Sequence, residues 1–315
     1  MATFSIEPSQ ETVHGNFSRE HAPILTIDSG DTVVFRTLDA GWQTKHRTTP
    51  DEEPLRLQLE DGDKRKDNGH CLCGPVAIRG AKPGMTLEIR IDEIVTGSWG
   101  WTGSGGWPHR VHTRLGTDKH EAKLVWQLAN GEGTSHLGHK IKLRPFMGVM
   151  GMPPDEDGFH STAPPRFCGG NMDCKELIAG TSLYLPVPVE GALFSVGDGH
   201  AVQGDGEACV TAIECPMERV VLTFVLHPAM RIAAPMARIG DAWLTMGLDE
   251  DLNEASLKAV EGMLDLLQEK NEGLDRSMAL AVASLAVDLR VTQIVNGVQG
   301  VHAILRDDAI RFPAT

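Results

Sequence analysis

No stretch of this 315-residue chain stays apolar long enough to span a membrane, so a helical membrane protein is not expected. The opening MATFSIEPSQETVHG has neither a basic start nor an apolar core, so no secretion signal is expected and the reading is cytoplasmic. Six cysteines (Cys71, Cys73, Cys168, Cys174, Cys209, Cys215) form no C-x-x-C pair and no zinc-ribbon spacing. They read as small, reduced, buried residues. There is no basic excess either. The formal net charge of −14 argues against nucleic acid and anionic membranes as partners.

The familiar catalytic signatures are missing too. Ser104 lies in TGSGG, but G-x-S-x-G fails because position 102 is threonine. His109 and His112 have helix-face spacing without the glutamate of a zincin motif, and they read as solvent or pocket-wall residues. SGDTVVF suggests a copper-protein sandwich, yet no Cys, His and Met cluster follows at copper spacing. No glycine-rich stretch opens a helix as a phosphate loop does. A nucleophilic Cys168 or Cys174 would need a low pKa that a sequence does not display.

What is present is turn-rich and β-rich. With 34 glycines and 18 prolines, the composition favours strands over helices. Residues 23–39, PILTIDSGDTVVFRTLD, read as strand, DSGD turn and strand, and residues 83–94 repeat that grammar. Residues 51–68 are charged and loop-like. Residues 97–120 read as a loop rich in Gly, Trp and His. LYLPVPV carries two prolines and reads as an edge strand or extended connection. LFSVGD and ACVTAIEC read as strands flanking an acidic glycine-rich loop, and RVVLTFVLH is a further strand. From Asp251 to Lys270 the apolar residues form a helical stripe. Gly273 ends it, and Asp275 can cap a second helix reaching Leu289, before a β-like tail. The class is α+β, a β-rich body with a C-terminal helical hairpin. Its parts are an N-terminal stretch 1–96, a Trp/His/Gly-rich segment 97–144, a site-bearing stretch 145–248 and the hairpin and tail 249–315, all in one compact unit.

The chemistry concentrates in GDGHAVQGDGE, residues 197–207. Residues two apart in an extended segment share a face, which pairs Asp198 with His200 and Asp205 with Glu207. GGNMD adds Asn171 and Asp173, and NGH adds Asn68 and His70 in the same style. Carboxylates and imidazoles from several loops suit a divalent hydrolytic metal that keeps one position for water, with a further carboxylate as general base. A single GDG is otherwise an ordinary turn, and a lone histidine such as His70 is more often structural.

Several stretches together resemble the acetamidase/formamidase family: PFMGVMGMPP, GGNMDCKEL, LYLPVPVEGALFSVGDGHAVQGDGE and TAIE, with NGHCLCGPVAIRGAKPGMTLEI and the first hairpin. The resemblance covers nearly the whole chain. It implies a β-rich α+β hydrolase, sandwich- or barrel-like, that uses a metal to cleave small amides to carboxylate and ammonia and assembles as a homodimer or larger homo-oligomer. Carried over by position, the signature falls at His70, Asn171, Asp173, Asp198, His200, Gln203, Asp205 and Glu207. On this reading His70, Asp173, Asp198 and His200 supply metal ligands. Glu207 is the base with Asp205 in reserve, and Asn171 and Gln203 stabilise the oxyanion. The mixed oxygen and nitrogen donors suit zinc ahead of calcium or magnesium. Residues 98–144, with Trp99, Trp101 and Trp107, depart from the family pattern. Those tryptophans are core or interface aromatics, or they line a wider pocket for a larger or cyclic amide. The alternative to an amidase is a related protein that binds metal or ligand without turnover.

Overall fold

The computed structural model describes residues 1–60 and 69–312, so Asn68 and the end of the charged stretch from Asp51 lie outside the described residues. Two large sheets face each other across the main core. The first runs in spatial order Thr3–Ile6, Thr32–Thr37, Met217–His227, Thr86–Thr96, Thr181–Pro186, Met236–Ile239, Ala242–Asp249, Gln299–Arg306 and Val287–Gln293. The second runs Gly169–Asn171, Phe146–Gly151, Phe194–His200, Leu72–Ile78 and Val13–His14, with Leu25–Ile27 also paired to Leu72–Ile78. Alternation makes the contact: Val33 and Phe35 of TVVFRT point inward while Arg36 stays exposed. Across the gap Phe194 meets Phe224 edge-on, with ring centroids 5.0 Å apart.

The late helices form as the stripe predicts. Asp251 caps Leu252–Lys270 by accepting from Asn253 and Glu254, and Asp275 caps Arg276–Ala286 by accepting from Met278. Met263, Leu264 and Leu267 pack with Val301, Ala303 and Leu305, so the hairpin covers the C-terminal strands of the larger sheet. Among the described residues no helix is long and apolar enough to cross a membrane.

Several local expectations are overturned. Residues 23–39 are not a hairpin. Leu25–Ile27 pairs with Leu72–Ile78, whereas Thr32–Thr37 pairs with Thr3–Ile6 and Met217–His227, so the DSGD turn carries the chain between sheets. Asp31 holds that turn by accepting from Asp28 N at 3.0 Å and Ala2 N at 2.6 Å. LYLPVPV is not an edge. Thr181–Pro186 is hydrogen-bonded on both sides, which is possible because Pro186 closes the strand and Pro188 lies beyond it. Residues 97–120 contain the strand Trp99–Ser104 and the short helix Arg110–Leu115 rather than one loop. ACVTAIEC forms no strand, because the left-handed backbone at Glu207 (φ 46°) and Val210 (φ 77°) breaks the alternation before it starts. The second helix ends at Ala286, where VDLRVTQ pairs instead with Gln299–Arg306.

The strand Gln299–Arg306 also carries a buried base. His302 bonds Thr292 Oγ1 through Nδ1 at 2.7 Å, and its Nε2 has no partner among the described residues. Burial pushes its pKa down to about 4, against the opposing pull of Asp205 and Glu176. A base whose folded pKa lies below its unfolded value contributes stability above the unfolded value and loses it as pH falls towards the folded one. Acidification from about 6.5 to 4 is therefore expected to remove about 3 kcal/mol through this group. His302→Asn should flatten that part of a urea-midpoint-versus-pH curve, whereas an unchanged slope would refute the assignment.

Candidate active site

FSVGDGH is one strand buried along its whole length, so the strand read in LFSVGD is present and runs on through Gly199 and His200, which the sequence reads as loop. Its glycines are there for close packing. A Cβ on Gly197 would sit 2.2 Å from the Cys71 carbonyl oxygen, and one on Gly199 would sit 2.7 Å from Met217. The opposite face carries Asp198 and His200. Met147 pairs with Gly199 and Val149 with Gly197, which sets Gly148 across from Asp198. Gly148 leaves the room the site occupies: a Cβ there would lie 2.5 Å from Asp198 Oδ2, 2.7 Å from Asp173 Oδ1 and 3.0 Å from His200 Cε1.

His200 is the hub. Its Nε2 lies 3.3 Å from Asp198 Oδ1 and 3.3 Å from Glu214 Oε2. Its Nδ1 lies 2.9 Å from Gln203 Oε1 and 3.9 Å from Asp173 Oδ1, and Phe146 meets the ring edge-on at 5.0 Å. Gln203 Nε2 donates to the Asp173 carbonyl at 2.9 Å, so its amide ties two site segments together. Asn296 Nδ2 donates to Asp173 Oδ2 at 2.6 Å. Two groups of potential ligands result: Asp173, Asp198 and His200, and His200, Glu207 and Glu214.

A cavity of about 260 Å³ opens onto this cluster. Asp198, Glu207, Glu214, Asn171, Asn296 and His70 line it, while Asp173, His200 and Gln203 lie behind. His70 is fixed by Thr162 Oγ1, 2.8 Å from Nδ1. Asn171 donates through Nδ2 to the Ala163 carbonyl at 3.1 Å, and its Oδ1 is buried without a partner among the described residues. Asp205 is not on the cavity wall and pairs instead with Lys175 at 3.0 Å.

Glu214 and Asn296 escaped the sequence reading. Glu214 stands in TAIE, a stretch quoted for its resemblance, but there it read as part of a strand. Its position comes from Trp101: each residue's main-chain N–H donates to the other's carbonyl, at 2.9 and 2.8 Å. Thr102 Oγ1 donates to the Ala212 carbonyl at 2.7 Å, clamping the same segment. The segment 97–144 thus holds one wall of the site.

The charge balance is lopsided. Four buried carboxylates, Asp173, Asp198, Glu207 and Glu214, crowd one imidazole. Burial raises Asp173 to about 6 and Glu214 to about 7 even though His200 opposes both shifts. Burial and then repulsion from Asp173 push Glu207 well above the usual carboxylate range. Burial would raise Asp198 as well, but His200 and His70 hold it well below that range. His200 resists burial through Glu214 and Asp198, which raise it well above a normal histidine. Asp173, Asp198 and Glu207 also sit in left-handed backbone, with φ of 49°, 57° and 46°. Such strain accumulates where a site is held in place by its surroundings.

Burial pushes the Cys73, Cys168 and Cys174 thiols up to about 12, which leaves Cys168 and Cys174 protonated and unfit as nucleophiles. His109 caps the short helix and its Nε2 lies 3.0 Å from the Val295 carbonyl, while His112 Nε2 lies 3.2 Å from both Gly105 N and the Cys209 carbonyl, so both have structural partners behind the cavity lining.

A two-sheet α+β body enclosing a buried carboxylate–histidine cluster defines the class of protein. The family follows from comparison: the Acetamidase/Formamidase family model matches residues 3–162 and 157–234, and the chain belongs to that family. A predicted acetamidase/formamidase from Thermoanaerobacter tengcongensis superposes with a TM-score of 0.84 at 24% identity, covering 98% of this chain and 97% of that one. An acetamidase from Bacillus halodurans gives 0.82 at 27% identity, covering 96% and 97%. A putative formamidase of Schizosaccharomyces pombe is 26% identical over 256 residues, 63% of this chain, and the match spans 60% of that relative's length.

Proposed function

We propose that the chain hydrolyses the C–N bond of small uncharged amides, releasing a carboxylate and ammonia, with a divalent cation in the buried cluster. The observation that carries this reading is the crowding of four carboxylates around His200 at the base of a cavity. Family membership and the activities for which the relatives are named support it.

The donor set fits a cation. Among the described residues Asp173 Oδ1 and Glu214 Oε2 are buried without hydrogen-bond partners, and two carboxylate oxygens meet over Gly148 beside the Cε1 edge of the imidazole. Buried, uncompensated negative charge calls for a proton or a metal. Asp198, Asp173, His200 and Glu214 would hold it, with His70 at the rim. The imidazole in the set favours zinc over calcium or magnesium. Such a cation supplies carbonyl polarisation and a more acidic water.

The chain's own groups do the rest. Glu207 faces the cavity and has no side-chain hydrogen bond among the described residues, so it is the base we assign. It takes the proton from water as the oxygen bonds to the carbonyl carbon. It then returns that proton to nitrogen as the C–N bond breaks. Asn171 Nδ2 keeps a second hydrogen for the oxyanion. Gln203 is a positioning residue, because both ends of its amide are already engaged. A reduced, cytoplasmic setting, which six free cysteines support, and the homo-oligomeric assembly that the family resemblance implies complete the proposal.

The test is ammonia release from formamide, acetamide and larger amides, on metal-analysed protein before and after chelation. Turnover should fall at least tenfold on chelation and return with one divalent metal. Turnover that ignores chelation would remove the metal from the proposal, and no release from any amide would remove the hydrolase.

A further inference from the structure

The cavity has two kinds of lining residue, polar and apolar, and the proposed chemistry uses only the first. Besides the polar groups already named, Ala40, Trp101, Ala163, Val210, Thr211 and Val295 line it. Trp101 is the largest of these and is held unusually firmly. Its Nε1 donates to Asp39 Oδ2 at 2.7 Å. Asp39 is fully buried and also accepts from Gln43 N at 2.6 Å and Gln43 Nε2 at 2.7 Å. Arg47 lies over the Trp101 ring, 5.6 Å from its centroid. The Trp101 backbone is in turn bonded at both ends to that of Glu214. The ring therefore stands at a fixed place relative to the carboxylates. A buried carboxylate needs hydrogen bonds to be tolerated, and Asp39 spends one of its own on this indole.

The size of the space matters as much as its lining. At about 260 Å³ the cavity is far larger than the roughly 10–15 Å³ that accommodates one water on a comparable measure. A formyl or acetyl group pointing at Trp101 would leave most of the cavity unfilled. An anionic acyl group would meet the carboxylates.

Resting on the amide-hydrolase reading, we infer that Trp101 is the specificity-determining wall of an acyl pocket. The preferred substrates are uncharged amides with an apolar acyl group of branched-chain to phenyl size, rather than formamide or acetamide. Asp39 is the positioning residue that fixes the indole.

The experiment measures kcat/KM for formamide, acetamide, isobutyramide and benzamide with wild-type protein, Trp101→Ala and Trp101→Phe. Wild-type kcat/KM should rise by tenfold or more from formamide to the best larger amide, since each methylene in an apolar pocket is worth about 10- to 200-fold. In Trp101→Ala the ratio of benzamide to formamide should fall at least tenfold, mainly through KM, with Trp101→Phe between the two. A wild-type series that is flat or falls away from formamide overturns the inference while leaving the amide reading intact. So does an equal loss on every substrate in Trp101→Ala. The wild-type series decides even if a variant fails to fold. If the wild type hydrolyses none of the four, the amide reading fails first and takes the pocket assignment with it.

Discussion

Glu207→Gln is expected to lower kcat on the preferred amide by about a thousandfold, the usual scale for losing a general base. The argument rests on placement. Glu207 is the site carboxylate that lines the cavity without a side-chain hydrogen bond among the described residues, in a left-handed backbone position with φ 46°. Asp198 and Glu214 also face the cavity, but each is within 3.3 Å of His200. Glutamine keeps the shape and cannot take a proton from water. Bound metal should stay near the wild-type amount, because Asp173, Asp198, His200 and Glu214 remain. Thermal stability should not fall, since the substitution removes a carboxylate that Asp173, Glu214 and Asp198 all repel. Asp205→Asn is the contrast: it loosens the 3.0 Å pair with Lys175 outside the cavity and should change kcat less than threefold. Activity in Glu207→Gln within tenfold of wild type, at full metal content, would move the base to Glu214.

How much of this was readable beforehand depends on range along the chain. The pairing of Asp198 with His200 is a period-two statement about one strand, and it survives as a 3.3 Å contact. The helix caps at Asp251 and Asp275 are equally local. Glu214 is different. Its place depends on a two-bond bridge to Trp101, more than a hundred residues earlier, and on left-handed turns at Glu207 and Val210. Asn296 reaches Asp173 across an even longer separation. No periodicity connects such positions. The glycines of GDGHAVQGDGE were legible as glycines but not for their purpose. Gly197 and Gly199 proved to be close-packing residues in a strand covered on both faces, whereas an acidic loop would have used them for turning. Asp39 gave no signal at all, because a lone aspartate after an apolar strand looks like any turn residue.

The most demanding test of the site as a single geometric object is Gly148→Ala. One methyl group would arrive 2.5 Å from Asp198 Oδ2 and 2.7 Å from Asp173 Oδ1, inside van der Waals contact with both. The backbone offers no relief through this residue, because its carbonyl accepts from Met172 N at 3.1 Å and Asp173 N at 3.3 Å. The carboxylates have little freedom to swing. Asp173 Oδ2 is taken by Asn296 at 2.6 Å, and Asp198 is held against His200. Overpacking of this kind costs about 1–3 kcal/mol, which a chain of this size can absorb while still folding. The chemistry should suffer far more, since the methyl would push Asp198 and Asp173, and the imidazole edge beside them, out of place. Metal content should drop below one tenth of the wild-type value, and kcat should fall at least a hundredfold, with the circular dichroism spectrum retained. Val149→Ala, one residue along the same strand and facing away towards Phe17 and Leu72, removes buried volume without entering the site. It should lower stability by a comparable amount and leave metal content intact. If both variants lose metal equally, the loss reports general loosening of the strand. If only Gly148→Ala does, the two carboxylates that meet over that glycine belong to the metal site.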